Sequence, residues 1–104
     1  MSEIPKIRRL RAGSKAVCTK QLQNYQPVLD THDETQITCL LKRLTGLLEK
    51  IKEYDENILD KLSEEEVESE IEQQSEYNGQ VEDAITKLEL TLTKLKANKP
   101  AKHK

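Results

Sequence analysis

The sequence predicts an all-α protein: an antiparallel, coiled-coil-like helical hairpin with an additional basic N-terminal helix, closing as a three-helix bundle if that helix packs on the hairpin. Three observations carry this. Of 104 residues, 35% are charged and 3% aromatic, with only 3 Gly and 3 Pro, so the turn-formers and aromatic walls of a β-rich or pocketed α/β fold are missing. Apolar residues recur at spacings of three and four over long stretches. Thr31-His32-Asp33-Glu34 and Ser63-Glu64-Glu65-Glu66 read as capping boxes that open new helices. The length suits a single helical domain over residues 1–97, followed by a basic tail over 98–104 that is expected to be disordered.

The first helix is expected over about residues 6–25. Ile7, Leu10, Val17, Cys18, Leu22 and Tyr25 fall on one side of a helical wheel, with Arg11 among them, while Lys6, Arg8, Arg9, Lys15 and Lys20 fall outside. Pro27 is read as the stop, because it has no N–H to donate and restricts the residue before it.

The second helix is expected over about 32–61, opened by Thr31 as cap. Ile37, Leu44, Ile51 and Ile58 recur every seven residues, with Leu40, Leu47 and Tyr54 as the second core position. Leu41, Leu48 and Leu62 widen the stripe beyond what a two-stranded seam needs, so this helix requires more than one neighbour.

Ser63 then restarts the chain, and its acids fall in the first turn, where the helix dipole favours them. The third helix is expected over about 64–97. Its seam reads Val67, Ile71, Val81, Ile85, Leu88, Leu92 and Leu95, with the polar residues Gln74 and Asn78 making a weak middle. A short connection with a fresh cap implies an antiparallel hairpin.

The net charge of −2 conceals four blocks: +5 over residues 1–24, −3 over 25–63, −9 over 64–90 and +5 over 91–104. The basic residues Lys6, Arg8, Arg9, Arg11 and Lys15 are candidate phosphate contacts, but the nearest aromatic is Tyr25, so base stacking has no support. Pairing of this face with the acidic third helix is the competing reading. Nucleic acid is thus the alternative partner, behind another copy of the chain or another helical protein.

No nucleophile motif, phosphate loop or metal spacing is present, so no enzyme activity, cofactor or small-molecule substrate is expected. Cys18, His32 and Cys39 lack a fourth ligand and read as structural. The glutamates from Glu64 to Glu72 read as a solvated helix face, since calcium loops need turn glycine and alternating acids. With no apolar leader and no stretch long enough to span a membrane, an intracellular, cytoplasmic location is expected, with both cysteines as free thiols; a Cys18–Cys39 disulfide is the alternative.

The stretch Leu41-Lys-Arg-Leu-Thr-Gly-Leu-Leu-Glu-Lys-Ile-Lys-Glu-Tyr54-Asp55-Glu-Asn-Ile58, followed by Ser63-Glu-Glu-Glu-Val-Glu-Ser-Glu70-Ile71-Glu-Gln-Gln-Ser-Glu-Tyr77, resembles the N-terminal helical region of Gag-like polyproteins of Pao/Bel-type LTR retrotransposons. That family opens with a basic helix, which residues 6–20 match, and carries a tyrosine near the middle of its Glu-rich helix, which Tyr77 matches. The resemblance covers most of residues 6–95 and implies a retrotransposon-derived module for self-association, or oligomerisation, through protein–protein contacts. It carries over no catalytic residue. The family's capsid-like region, zinc knuckles and protease have no counterpart in this sequence.

Overall fold

The computed structural model describes residues 3–97, so the expected basic tail lies outside the described residues. Four helices follow in order: α1 (Glu3–Gln23), α2 (Tyr25–Thr31), α3 (Glu34–Lys61) and α4 (Glu64–Ala97). Three are long. They pack into a slender rod of 63 × 21 × 20 Å, with α3 against both α1 and α4. Arg11 of α1 meets Asp55 of α3, and Lys52 of α3 meets Glu82 of α4, so the long helices run up, down and up. The architecture is the all-α hairpin of the sequence reading, completed to a three-helix bundle by α1.

The breaks between helices have local chemical causes. α1 ends at Gln23, and Asn24 turns the chain with its N–H bonded to Gln21 O at 3.1 Å. Pro27 does not stop the first helix, contrary to expectation. It lies in the first turn of α2, where its missing N–H would have no intrahelical acceptor. His32 closes α2 in the left-handed region at φ 56°, donating its N–H to Leu29 O.

The Thr31–Glu34 capping box does not form. Asp33 is the cap of α3, its carboxylate accepting from the Thr35 and Gln36 N–H groups at 2.9 and 3.3 Å. Thr31 Oγ1 instead donates to Val28 O and accepts from the Asp33 N–H. At the second break, Ser63 Oγ donates to Glu66 Oε1 at 3.1 Å and the Glu66 N–H bonds to the Ser63 carbonyl, so the two residues pair at the hairpin turn without the reciprocal side-chain-to-backbone bonds of the expected capping box.

The core is aliphatic. Ile37, Leu44, Ile51, Ile58, Val81 and Leu88 are fully buried, joined by Leu40, Leu48, Ala84, Leu92 and the thiol of Cys18. Leu47, Tyr54, Val67, Ile85 and Leu95 from the expected seam are half-buried at its margins. Ile71 is the correction: it is 45% exposed, and Glu70 takes the interior position beside it.

From 67 to 88 the inward series of α4 steps 67, 70, 74, 77, 81, 84, 88, so the secondary seam positions expected at 71, 78 and 85 stand one residue earlier, while Leu92 is buried as expected. Tyr77 replaces Asn78 and Ala84 replaces Ile85 for the same reason. On α1, Leu10 (46% exposed) and Val17 (49%) stand at the edge, while Arg11 and Cys18 point inward.

These placements make contrasting mutational expectations. Leu44→Ala should cost about 2–5 kcal/mol in chemical denaturation, as a fully buried leucine in a cluster that cannot easily collapse. Ile71→Ala, at an exposed position, should cost less than about 1 kcal/mol. Equal costs would contradict the register of α4.

Candidate functional site

Each long helix carries an inward-facing series that repeats every seven residues, and a polar residue interrupts each series at one level of the bundle. On α1 the series is Ile4, Arg11, Cys18, continued by Tyr25 at the start of α2; on α3 it is Leu41, Leu48, Asp55, continued by Leu62 just past its end; on α4 it is Glu70, Tyr77, Ala84. The interruptions meet. Arg11 Nη1 donates to Asp55 Oδ1 at 2.7 Å and to Glu70 Oε2 at 2.6 Å, all three side chains being nine-tenths buried or more.

Amides complete the cluster. Gln74 Nε2 donates to Glu70 Oε2 at 2.9 Å and to the Asp55 carbonyl at 3.4 Å, and Asn78 Nδ2 donates to Asp55 Oδ2 at 3.0 Å. Arg8 reaches the outer oxygen of Glu70 at 3.3 Å from a more exposed position. Asn78 Oδ1 is the one buried side-chain oxygen among the described residues without a hydrogen-bond donor.

Burial opposes the charges of Glu70 and Arg11, and the contacts outweigh it. For Glu70, desolvation alone would raise the pKa, but the hydrogen bonds from Arg11 and Gln74 hold it below the ordinary carboxylate value. For Arg11, burial is likewise overcome by hydrogen bonds to Glu70 and Asp55, so the guanidinium stays charged. A cation fixed by Glu70 and Asp55, with Glu70 held in its ionised form, is arranged to hold helices and not to exchange protons near neutrality. Its chemistry is positional.

A second set of contacts joins α1 to α4 beside the cluster. Tyr77 Oη donates to the Lys15 carbonyl at 3.0 Å and lies 3.2 Å from Thr19 Oγ1, while Lys15 Nζ sits 4.6 Å from the tyrosine ring centre. Burial pushes the Tyr77 phenol up to about 12 and raises the Cys18 thiol, disfavouring a reactive thiolate. Burial also lowers Lys15, with Arg11 adding repulsion.

These contacts redistribute the expected phosphate-binding residues. Arg11 is buried between carboxylates and unavailable to a phosphate. Arg8 is held by Glu70 and Lys15 covers Tyr77, leaving Lys6 and Arg9 exposed. Both cysteines are free thiols, Cys18 buried and Cys39 exposed. Among the described residues, no three His, Cys, Asp or Glu side chains are grouped to hold a metal ion, and no helix is long and apolar enough to cross a membrane.

The other flank of α1 is open. Gln21 of α1, Asn24 at the turn after it, and Gln36, Cys39 and Arg43 of α3 line a shallow cavity of about 460 Å³. Further along the same flank stand the half-exposed Leu10 and Val17. The helical wheel groups Leu10 and Val17 with the buried Cys18, and the sequence reading puts Glu70 on a solvated face and gives no role to Asp55; in the structure Leu10 and Val17 are half exposed and both carboxylates are buried. The signal available for Asp55 was its place in the series Leu41, Leu48, Asp55, Leu62, where a polar residue breaks an otherwise leucine-only repeat.

Two pH expectations follow from the cluster. Because the folded pKa of Glu70 lies below its unfolded value, the stabilisation is present above the ordinary glutamate pKa of 4.5 and is lost as pH falls through the lowered value. Glu70→Gln should therefore flatten the acid limb of a denaturation midpoint-versus-pH curve; an unchanged limb would contradict the pairing. Tyr77 has the opposite sign: its stabilisation is complete below the ordinary phenol value of 10.0 and is lost as pH rises towards about 12. Tyr77→Phe should remove the last-titrating phenol in an ultraviolet titration and flatten the alkaline limb.

No protein-family model, curated protein or solved structure matches this chain.

Proposed function

We propose that this chain is a non-enzymatic helical interaction module that associates with further copies of itself, or with another helical protein, through its outer faces. The seam itself cannot serve, because α1 and α4 close over α3 and leave Ile37, Leu44, Ile51 and Ile58 with no exposed surface. The observation that carries the reading is the pair Leu10 and Val17. They are large apolar side chains, 46% and 49% exposed, one heptad apart on the same flank of a highly charged rod.

The buried polar groups support it indirectly. Arg11, Asp55, Glu70 and Gln74 are spent on one another, which makes a rigid support for a surface and not a reaction centre. The resemblance of residues 41–58 and 63–77 to retrotransposon Gag-like proteins supplies a context in which such a module, Gag-derived, would bring copies together. The phosphate-binding alternative gains no support from a basic face that is turned partly inward.

Sedimentation equilibrium tests this directly. The wild type should show a weight-average mass above the monomer at micromolar concentration, and Leu10→Ser with Val17→Ser should lower that mass while leaving helicity intact. A strict monomer up to about 1 mM, the limit of the weakest association of interest, would overturn the self-association reading.

A further inference from the structure

We propose that copies of this chain associate head to tail, the basic and apolar flank between α1 and α3 of one copy receiving the acidic outer face of α4 of the next. This inference rests on the interaction-module reading and specifies its surfaces. Arg8 and Lys15 reach across to α4, so Leu10 and Val17 lie on the opposite flank of α1, the one bordering α3. With Arg11 opposite Asp55 in an antiparallel pair, Leu10 comes level with residue 56 and Val17 with residue 49, each within one turn of the half-buried Tyr54 and Leu47. Two apolar steps thus line the flank.

The charges along it are mainly basic. Lys6, Arg43, Lys50 and Lys61 are exposed there, none of them paired with a described residue, while Glu3, and Glu53 and Asp60 in the heptad column of Cys39, border it. The excess of cations disfavours a symmetric pairing of this surface with itself.

The outer face of α4 is the complement. Glu65, Glu72, Glu76 and Asp83 are exposed and unpaired with any described residue, and Leu90, 56% exposed, lies further along the same face. Glu64 and Glu68, Glu68 and Glu72, and Glu72 and Glu76 stand four apart on the helix, where like charges repel. Nothing among the described residues relieves this row, and a cationic surface would. The spacing also agrees. Arg43 and Lys50 are one heptad apart, as are Glu65 and Glu72, and Glu76 and Asp83, each a step of about 10.5 Å at 1.5 Å per residue. Pairing of two different surfaces generates a ring or an open chain.

Charge reversal with rescue tests the arrangement by sedimentation equilibrium of the full chain. At about 50 mM salt the wild-type mass should rise with concentration, and at about 500 mM salt it should fall to the monomer, because exposed charge pairs are screened. Arg43→Glu with Lys50→Glu, and separately Glu72→Lys with Glu76→Lys, should each abolish association at low salt. An equimolar mixture of the two variants should restore it, binding at least about tenfold more tightly than either alone.

Association that survives high salt and both reversals, or a mixture that restores nothing, would overturn the head-to-tail pairing while leaving the broader reading in place. A wild type that is monomeric at every salt would overturn both. The salt series uses only the wild type, so the outcome does not depend on the variants folding. Duplex RNA that binds the flank of a monomeric wild type would also overturn the proposal, in favour of phosphate recognition.

Discussion

A single guanidinium holds this bundle in register. Arg11 enters the interior from α1 and finds Asp55 of α3 and Glu70 of α4 at 2.7 and 2.6 Å. Burying three charges is costly, and hydrophobic replacements of such clusters are often as stable or more so. The cluster's contribution is therefore specificity. An α1 shifted by one turn, or an α4 rotated by one residue, would strand at least one charge in an aliphatic core. The buried Val81 and Leu88 oppose a rotation of α4 as well, and the charges add a penalty specific to their own level of the bundle.

Several other features follow from that constraint. Glu70 must face inward, which sends its neighbour Ile71 to the surface and brings Tyr77 and Ala84 into the interior. Tyr77 then lies under α1, where its hydroxyl reaches the Lys15 carbonyl and its ring carries the Lys15 ammonium. Asn78 turns toward Asp55 from the adjacent flank. α1 contributes few large apolar side chains of its own, Cys18 being its only fully buried one, so its attachment leans on polar contacts more than the α3–α4 hairpin does. With α1 fixed, the apolar seam is closed to partners and the outer faces remain, one basic with Leu10 and Val17 and the other acidic.

The sequence made the helices legible because their apolar residues repeat with helical period, and the hairpin turn legible because Ser63 and Glu66 sit at capping distance. Ile37, Leu44, Ile51 and Ile58 were identifiable as core for the same reason. What escaped was the cost of a charge's company. Periodicity ranks residues by hydropathy, so it placed Ile71 inside in preference to Glu70 and passed over Asp55, although each carboxylate stands on an inward series. A buried carboxylate becomes acceptable only when its cation is placed, and that partner lies 44 or 59 residues away in the chain. The cap at Asp33 escaped on a smaller scale: Thr31 offered the same pattern two residues earlier, and only the left-handed turn at His32 decides between them. The open flank was hidden too, since a helical wheel groups Leu10 and Val17 with Cys18, and only the placement of α3 and α4 leaves them at the edge.

The claim that Arg11 and its carboxylates act as one unit is tested most directly by a double-mutant cycle. Arg11→Ala and Glu70→Ala are compared singly and together by chemical denaturation. Arg11→Ala strands two buried carboxylates without their cation and should cost about 3–5 kcal/mol, whereas Glu70→Ala leaves Arg11 its pairing with Asp55 and should cost less. The double variant should cost well under the sum, with a coupling of at least about 1.5 kcal/mol. Costs that add to within about 0.5 kcal/mol would mean that the two residues act independently, and the account of the bundle's register would be wrong.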